Sequence, residues 1–133
     1  MKKILFVAFA LLALFTAACT KHNDQILVRF QNNLGSNIEA SRLSFDETHI
    51  TEIGALPAGA KSDYIPFDYF LVGAELPMGI LDGKKDGADF SASAGLWCGT
   101  GVEFKQLEPG KYTIEINKIG VDSFVYYQIG FLD

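Results

Sequence analysis

Beyond residue 25 the apolar residues fall into short runs that alternate with polar positions. In the first run, Ile26, Val28 and Phe30 alternate with Leu27, Arg29 and Gln31. This period of two places one set of side chains on one face of a β-strand. Gly, Pro, Asn and Asp separate successive runs at the spacing typical of a β-sandwich or barrel, and no long stretch has a helical period. The pattern therefore predicts an all-β domain.

The same pattern predicts further extended segments along the chain. They cover residues 26–31, 38–45, 49–56, 62–67, 69–76, 79–81, 88–92, 102–104, 112–117 and 124–132. In the second strand the apolar phase shifts between Ala40 and Leu43, which predicts a β-bulge. Pro66 predicts an edge position for its strand. The last strand is apolar on both faces and should be central in its sheet.

Residues 82–87 contain two Asp-Gly pairs, and they predict a hairpin loop. A Pro-Gly turn precedes Tyr112 at the start of a late strand. Tyr112 is therefore either a tyrosine corner, with its hydroxyl bonded to the backbone upstream, or an ordinary core tyrosine. Together these features predict a single immunoglobulin-like antiparallel β-sandwich of about seven or eight strands in residues 26–133.

The N-terminus has the pattern of an export signal. Lys2 and Lys3 are followed by an apolar run, residues 4–18, in which only Thr16 is polar and which ends in Ala17-Ala18. A membrane-spanning helix needs roughly 20 apolar residues, so the run is short for a span and suits a cleaved signal peptide. We expect residues 1–18 to be removed.

Cys19 follows the two small residues and resembles the lipobox cysteine of bacterial lipoproteins, although Thr16 stands where that family usually has Leu. The resemblance implies a diacylglyceryl group on the Cys19 sulfur and attachment to the membrane. Ordinary cleavage at the same bond, which would release a soluble secreted protein, is the alternative. On the lipobox interpretation, residues 19–25 are the lipidated cysteine and a short tether. The domain would then lie at the outer membrane, on its periplasmic or cell-surface side.

Three features of the mature chain resemble a group of small uncharacterised lipoproteins of Gram-negative bacteria. They are a first strand that ends near Asn32, the turn Gly59-Ala60-Lys61-Ser62-Asp63-Tyr64, and the Leu-x-Pro-Gly-x-Tyr-Thr turn of residues 107–113. The resemblance spans most of residues 26–117. It implies a short lipid tether and a β-sandwich, with no assigned activity.

The charge of the mature chain narrows its partners. Loss of Lys2 and Lys3 leaves nine basic residues against sixteen acidic ones, so the formal charge falls from −5 to −7. Such acidity disfavours nucleic acid and anionic lipid headgroups as partners. It allows a basic partner.

Two motifs suggest chemistry but lack essential groups. Trp97-Cys98-Gly99-Thr100-Gly101 resembles a thioredoxin motif without its resolving cysteine, so we interpret Cys98 as a buried thiol or a free thiol able to link two copies. Asp82, Asp86 and Gly87 match part of a calcium loop. Lys84 and Ser93, however, stand where two further ligands belong. We interpret that segment as a solvated hairpin.

Histidine offers little more. His49 could approach Ser62 or Cys98 in space, but no spacing singles out a catalytic or metal-binding set. We therefore predict no enzyme activity, no metal and no cofactor.

Exposed aromatic side chains are the more credible binding surface, because they stack on sugars or anchor protein partners. The candidates are Tyr64, Tyr69, Trp97, Tyr126 and Tyr127. The alternative is that most aromatics fill the core. The sequence therefore predicts a non-catalytic module that binds an envelope protein or a glycan. A second hypothesis is an acidic inhibitor of a periplasmic or extracellular enzyme, acting through residues 82–89.

Overall fold

The computed structural model describes residues 24–95, 101–121 and 124–132, with backbone alone at 121 and 124–126. Eleven β-strands lie in these ranges. They are β1 (Ile26–Asn32), β2 (Ile38–Ser44), β3 (Ile50–Glu52), β4 (Ile65–Phe67), β5 (Leu71–Gly73), β6 (Leu76–Pro77), β7 (Ile80–Lys85), β8 (Ala88–Ser93), β9 (Phe104–Gln106), β10 (Gly110–Val121) and β11 (Phe124–Phe131). Within the described ranges, no helix is both long and apolar enough to cross a membrane.

The strands form one large sheet and one small one. Eight strands follow the order β3-β2-β7-β8-β11-β10-β1-β4, and β6-β5-β9 form the second sheet. Ring contacts join the two, since Phe70, beside β5, packs edge-on against Phe45 and Phe67 near strands of the large sheet. The predicted all-β, sandwich-like fold is confirmed. The strand number exceeds the prediction because residues 71–77 and 104–106 form the separate small sheet.

Two pairs in the large sheet are parallel. β1 runs alongside β10 from Ile26 opposite Gly110 to Asn32 opposite Ile116, and β8 pairs briefly with β11. The other pairs are antiparallel. Parallel neighbours need a long connection, and β1 and β10 are separated by most of the domain. The sheet is therefore mixed, where the sequence predicted antiparallel strands.

The alternation predicted for the first strand is confirmed. Val28 and Phe30 are fully buried, whereas Leu27, Arg29 and Gln31 between them are half-buried. The other strands send their apolar sets to the same core. Its buried members are Ile26, Val28, Phe30, Ile38, Leu43, Leu56, Phe67, Phe70, Val72, Leu81, Phe90, Ala92, Ile114, Ile116 and Ile129.

Several details also follow the sequence. A register shift interrupts β2 between Ile38 and Ala40, slightly earlier than predicted. Pro66 lies in β4 at one edge of the large sheet, and β11 lies between β8 and β10. The Tyr112 hydroxyl donates to the Glu108 carbonyl oxygen at 3.0 Å, which is the tyrosine-corner alternative.

The predicted hairpin loop over residues 82–87 is wrong in extent. Asp82 and Gly83 belong to β7, and the turn consists of Asp86 and Gly87 alone. Their φ values of 53° and 75° suit the tight turns that match strand twist. The third strand is likewise shorter than predicted and covers only Ile50–Glu52.

Candidate functional site

A groove follows the outside of the sheet formed by β3, β2, β7 and β8. Its volume is about 690 Å³, and it is open along its length. We call the solvent-facing side of these four strands the outer face. The groove is lined by Ala40, Arg42, Glu52, Asp82, Lys84, Asp89 and Ser91, with Ser41, Gly83 and Phe90 beside them.

The register places the outer-face residues in rows across the strands. Ser44 pairs with Ile50 on one side and with Ile80 on the other. Arg42 pairs with Glu52 and with Asp82 in the same way. Directly opposed residues point to the same side of a sheet, with Cβ atoms about 5 Å apart. The outer face therefore carries an apolar row beside a row in which one cation lies between two carboxylates.

Ile50 and Ile80 are the unusual members of this face. Each is 48% exposed although neighbouring strand positions bury their apolar side chains. They flank a small residue, Ser44, so nothing large on β2 separates them. Exposed apolar side chains rimmed by charged ones are typical of interaction surfaces.

Sequence reasoning missed the outer face. The signal was present, because Ile80-Leu81 are adjacent apolar residues in one strand and must point to opposite sides. Leu81 is fully buried and Ile80 is the exposed one. Their cross-strand partners, however, are set by a register that the local pattern does not contain.

The predicted aromatic surface divides among different neighbours. The Tyr64 ring lies near Arg29 and Lys111, Tyr69 stacks on His49 with centroids 3.8 Å apart, and Tyr127 packs edge-on against Phe90. Their contacts do not join them into one patch. Trp97 and the Tyr126 side chain lie outside the described residues. Cys19 and Cys98, for which the sequence predicted lipidation and a thiol, also lie outside the described residues.

His49 belongs to a turn held by Asp46. The Asp46 carboxylate accepts the backbone N–H groups of Thr48 and His49, each at 2.8 Å, and lies 2.7 Å from His49 Nδ1. The hydrogen bond from His49, followed by those from Thr48, holds the pKa of Asp46 well below its usual value of 3.8. The arrangement stabilises the β2–β3 connection.

The structure does not bring His49 to Ser62. The Ser62 hydroxyl accepts the Phe30 N–H at 2.9 Å and donates to the Asp63 carbonyl at 2.7 Å, so both of its roles are used locally. In the part of the chain that the structure describes, no group of three or more His, Cys, Asp or Glu residues is placed to hold a metal.

Comparisons with known proteins give information on the fold alone. No family model and no curated protein matches this chain. A solved NMR structure of a protein from Eubacterium rectale is similar, with a TM-score of 0.50 and 14% sequence identity. The match covers 86% of this chain and 94% of that one. At this identity the likeness supports the all-β architecture.

Proposed function

We propose that this chain is a lipid-anchored cell-envelope protein that binds another protein through its outer face, without catalysis. The observation that carries the proposal is the pair of rows Ile50–Ser44–Ile80 and Glu52–Arg42–Asp82. The membrane attachment rests on the lipobox-like Cys19 and the signal that precedes it.

The shape of the groove favours a macromolecular partner. Small-molecule sites are concave and bury most of their ligand, whereas this groove is open and lies along a sheet face. Ile50 and Ile80 supply apolar area that a protein surface would cover. Of the aromatic side chains expected for glycan stacking, the three that the structure describes are Tyr64, Tyr69 and Tyr127. They contact Arg29, His49 and Phe90, respectively.

The charges specify the chemistry of that partner. Arg42 lies between Glu52 and Asp82, so a complementary surface presents a carboxylate opposite Arg42 and basic groups on either side. An apolar residue next to that carboxylate would cover Ile50 and Ile80. A partner surface with a cation opposite Arg42, or with carboxylates opposite Glu52 and Asp82, would be repelled.

The position of the anchor supports this assignment. On the lipobox interpretation, residues 20–25 would be a tether of six residues, with a reach of roughly 20 Å when extended. The tether joins β1, the seventh strand in the order of the sheet, whereas the outer face is formed by the first four. Attachment at Cys19 therefore leaves the outer face free to bind.

The inhibitor hypothesis has no specific observation in its favour. The β7–β8 hairpin ends in a two-residue turn, and Asp86 in that turn pairs with Lys85 at 2.7 Å. Lys84 pairs across the strands with Asp89. The hairpin therefore carries mixed charge where a basic enzyme would need a concentrated acidic loop.

Site-specific photo-crosslinking in cells tests the binding face. A photoreactive residue at Ser44 should yield one discrete crosslinked product, whereas the same residue at exposed Lys118 on β10 should not. Adding Arg42→Glu should remove the product at position 44 without changing the amount of the protein. A product that forms equally at both positions, or that persists with Arg42→Glu, would contradict the proposal.

A further inference from the structure

A second site lies on β1 and β10, away from the outer-face strands. We propose that Arg29, Tyr64 and Lys111 bind a phosphate group. We call these three residues the cationic site. Both cations lie near one ring: Arg29 Cζ is 5.0 Å and Lys111 Nζ is 5.3 Å from the Tyr64 centroid.

The strands explain why the two cations converge. β1 and β10 are parallel neighbours, with Leu27 opposite Lys111 and Arg29 opposite Thr113. Arg29 and Lys111 are therefore diagonal neighbours on the same side of the sheet, with Cα atoms roughly 8 Å apart from strand spacing and rise. Tyr64 precedes β4, which pairs with the other side of β1. Both distances to its ring fall within the range of about 6 Å for a cation–π contact.

The guanidinium of Arg29 is fixed but not neutralised. Its Nε donates to the Thr113 hydroxyl at 2.9 Å, which orients the group and leaves its terminal nitrogens for another acceptor. Within the described ranges, the ion pairs closer than 4.0 Å are His49–Asp46, Lys85–Asp86 and Lys105–Glu75. Neither Arg29 nor Lys111 takes part in them.

One carboxylate near the cationic site is already hydrogen-bonded. Glu115, the next residue on this side of β10, accepts a hydrogen bond from the Asn33 amide at 3.1 Å. Arg29 and Lys111 bring two positive charges to the Tyr64 ring, whereas the chain as a whole is acidic. The local charge is thus opposite to the net charge.

The donor set suits phosphate. The planar guanidinium offers paired N–H donors that match two phosphate oxygens, and the ammonium adds a compact charge to a third. The hydroxyl of Tyr64, which is 36% exposed, supplies a further donor at the rim. A phosphate bound by both side chains would neutralise this local positive charge.

The position of the site indicates where the phosphate comes from. The Gly110 N–H donates to the Gln25 carbonyl at 3.1 Å, so the start of β10 lies beside the end of the tether. A lipid headgroup is then the phosphate source at hand. This source, unlike the site itself, rests on the proposed lipid anchor.

A phosphate titration tests the site on the chain that begins at residue 19 and carries Cys19→Ser. The buried core residues in the described ranges lie between Ile26 and Ile129, so this chain contains all of them. Sodium phosphate, added at constant ionic strength against chloride, should shift the NMR signals of Arg29 Nε–H and the Tyr64 ring in a saturable way. Arg29→Gln should weaken phosphate binding roughly tenfold.

Two variants separate binding from general effects of charge and folding. Lys118→Gln makes the same charge change elsewhere on β10 and should alter phosphate affinity by less than about twofold. Arg29→Lys keeps the charge and loses the planar fork, so it should bind phosphate more weakly than the parent while keeping its amide spectrum. Equal shifts with chloride, or equal losses in Arg29→Gln and Lys118→Gln, would overturn the site.

Vesicles identify the source. If headgroups supply the phosphate, the unacylated chain should sediment with phosphatidylglycerol vesicles, and Arg29→Gln should abolish this. Phosphate binding without sedimentation supports the site with a soluble phosphate ligand. Because the titration uses a chain without acyl groups, failure of the proposed anchor would leave its result unchanged.

Discussion

Asn32 connects four segments from a fully buried position at the end of β1. Its amide group donates to the carbonyls of Ser36 and Leu56, each at 2.8 Å, and its side-chain oxygen accepts the Leu34 N–H at 2.9 Å. Its backbone bonds to residues 59 and 60 of the turn that precedes β4. One polar side chain thus supplies hydrogen-bond partners to three backbone groups beside the core.

Replacing this side chain should be costly. Asn32→Ala removes these three side-chain hydrogen bonds, although the Leu56 carbonyl still accepts the Ile38 N–H at 2.9 Å, so we expect the free energy of unfolding to fall by about 3 kcal/mol. Urea denaturation followed by tryptophan fluorescence or circular dichroism measures it. Asn33→Ala, at the exposed neighbouring position, should cost less than about 1 kcal/mol. Similar losses for the two variants would show that Asn32 does not have this structural role.

Residue-scale predictions from sequence depended on local information. The Pro-Gly turn before Tyr112 left the corner hydrogen bond as one of two alternatives, and the structure shows that hydrogen bond. The strand pattern placed Arg29 on the face of β1 opposite to Val28 and Phe30, as the structure also shows. The approach of Lys111 to Tyr64 could not be predicted. It depends on the parallel pairing of β1 and β10, which joins residues about eighty positions apart.

Two Asp-Gly pairs in one hairpin show how register decides the structure of an element. Asp86-Gly87 forms the turn, whereas Asp82-Gly83 continues β7. At Gly83 an added Cβ would lie 2.3 Å from the Ala40 carbonyl oxygen and 2.9 Å from Phe90 Cε1. The irregular strand β2 next to Gly83 therefore requires a glycine there. Sequence composition cannot distinguish such a glycine from one in a turn.

This requirement predicts a contrast between two strand glycines. Gly83→Ala forces the backbone of β2 or β7 to move, so we expect a loss of about 1–3 kcal/mol in unfolding free energy. Gly130→Ala in β11 meets nothing within 4 Å and should be neutral or stabilising by up to about 1 kcal/mol. Thermal and urea unfolding measure both. If Gly83→Ala were as stable as the parent, the close approach to Ala40 would not exist in solution.

The strands could be predicted better than their partners. The alternation of apolar residues in the sequence correctly predicted which side chains of β1 and β10 share the inward face, because a period of two specifies a face. It does not specify a neighbour, and so the parallel pairs and the separate small sheet were not predicted. The outer face was missed for the same reason, since Ile50 and Ile80 are joined only through their pairing with Ser44.

At the scale of the molecule, the large sheet carries two surfaces with different chemistry on different strands. The outer face on β3, β2, β7 and β8 combines two exposed isoleucines with paired charges. The cationic site lies on β1 and β10, beside the tether. A chain anchored through Cys19 would keep the cationic site near the bilayer and leave the outer face for a protein partner.

The proposed lipid anchor at Cys19 can be measured by metabolic labelling with an alkyne fatty acid. The parent and Cys98→Ser should both incorporate the label and fractionate with membranes, whereas Cys19→Ser should incorporate none. That result would establish Cys19 as the acylated residue. Equal labelling of Cys19→Ser, or an unlabelled parent recovered in the soluble fraction, would contradict the lipid anchor and favour a secreted protein.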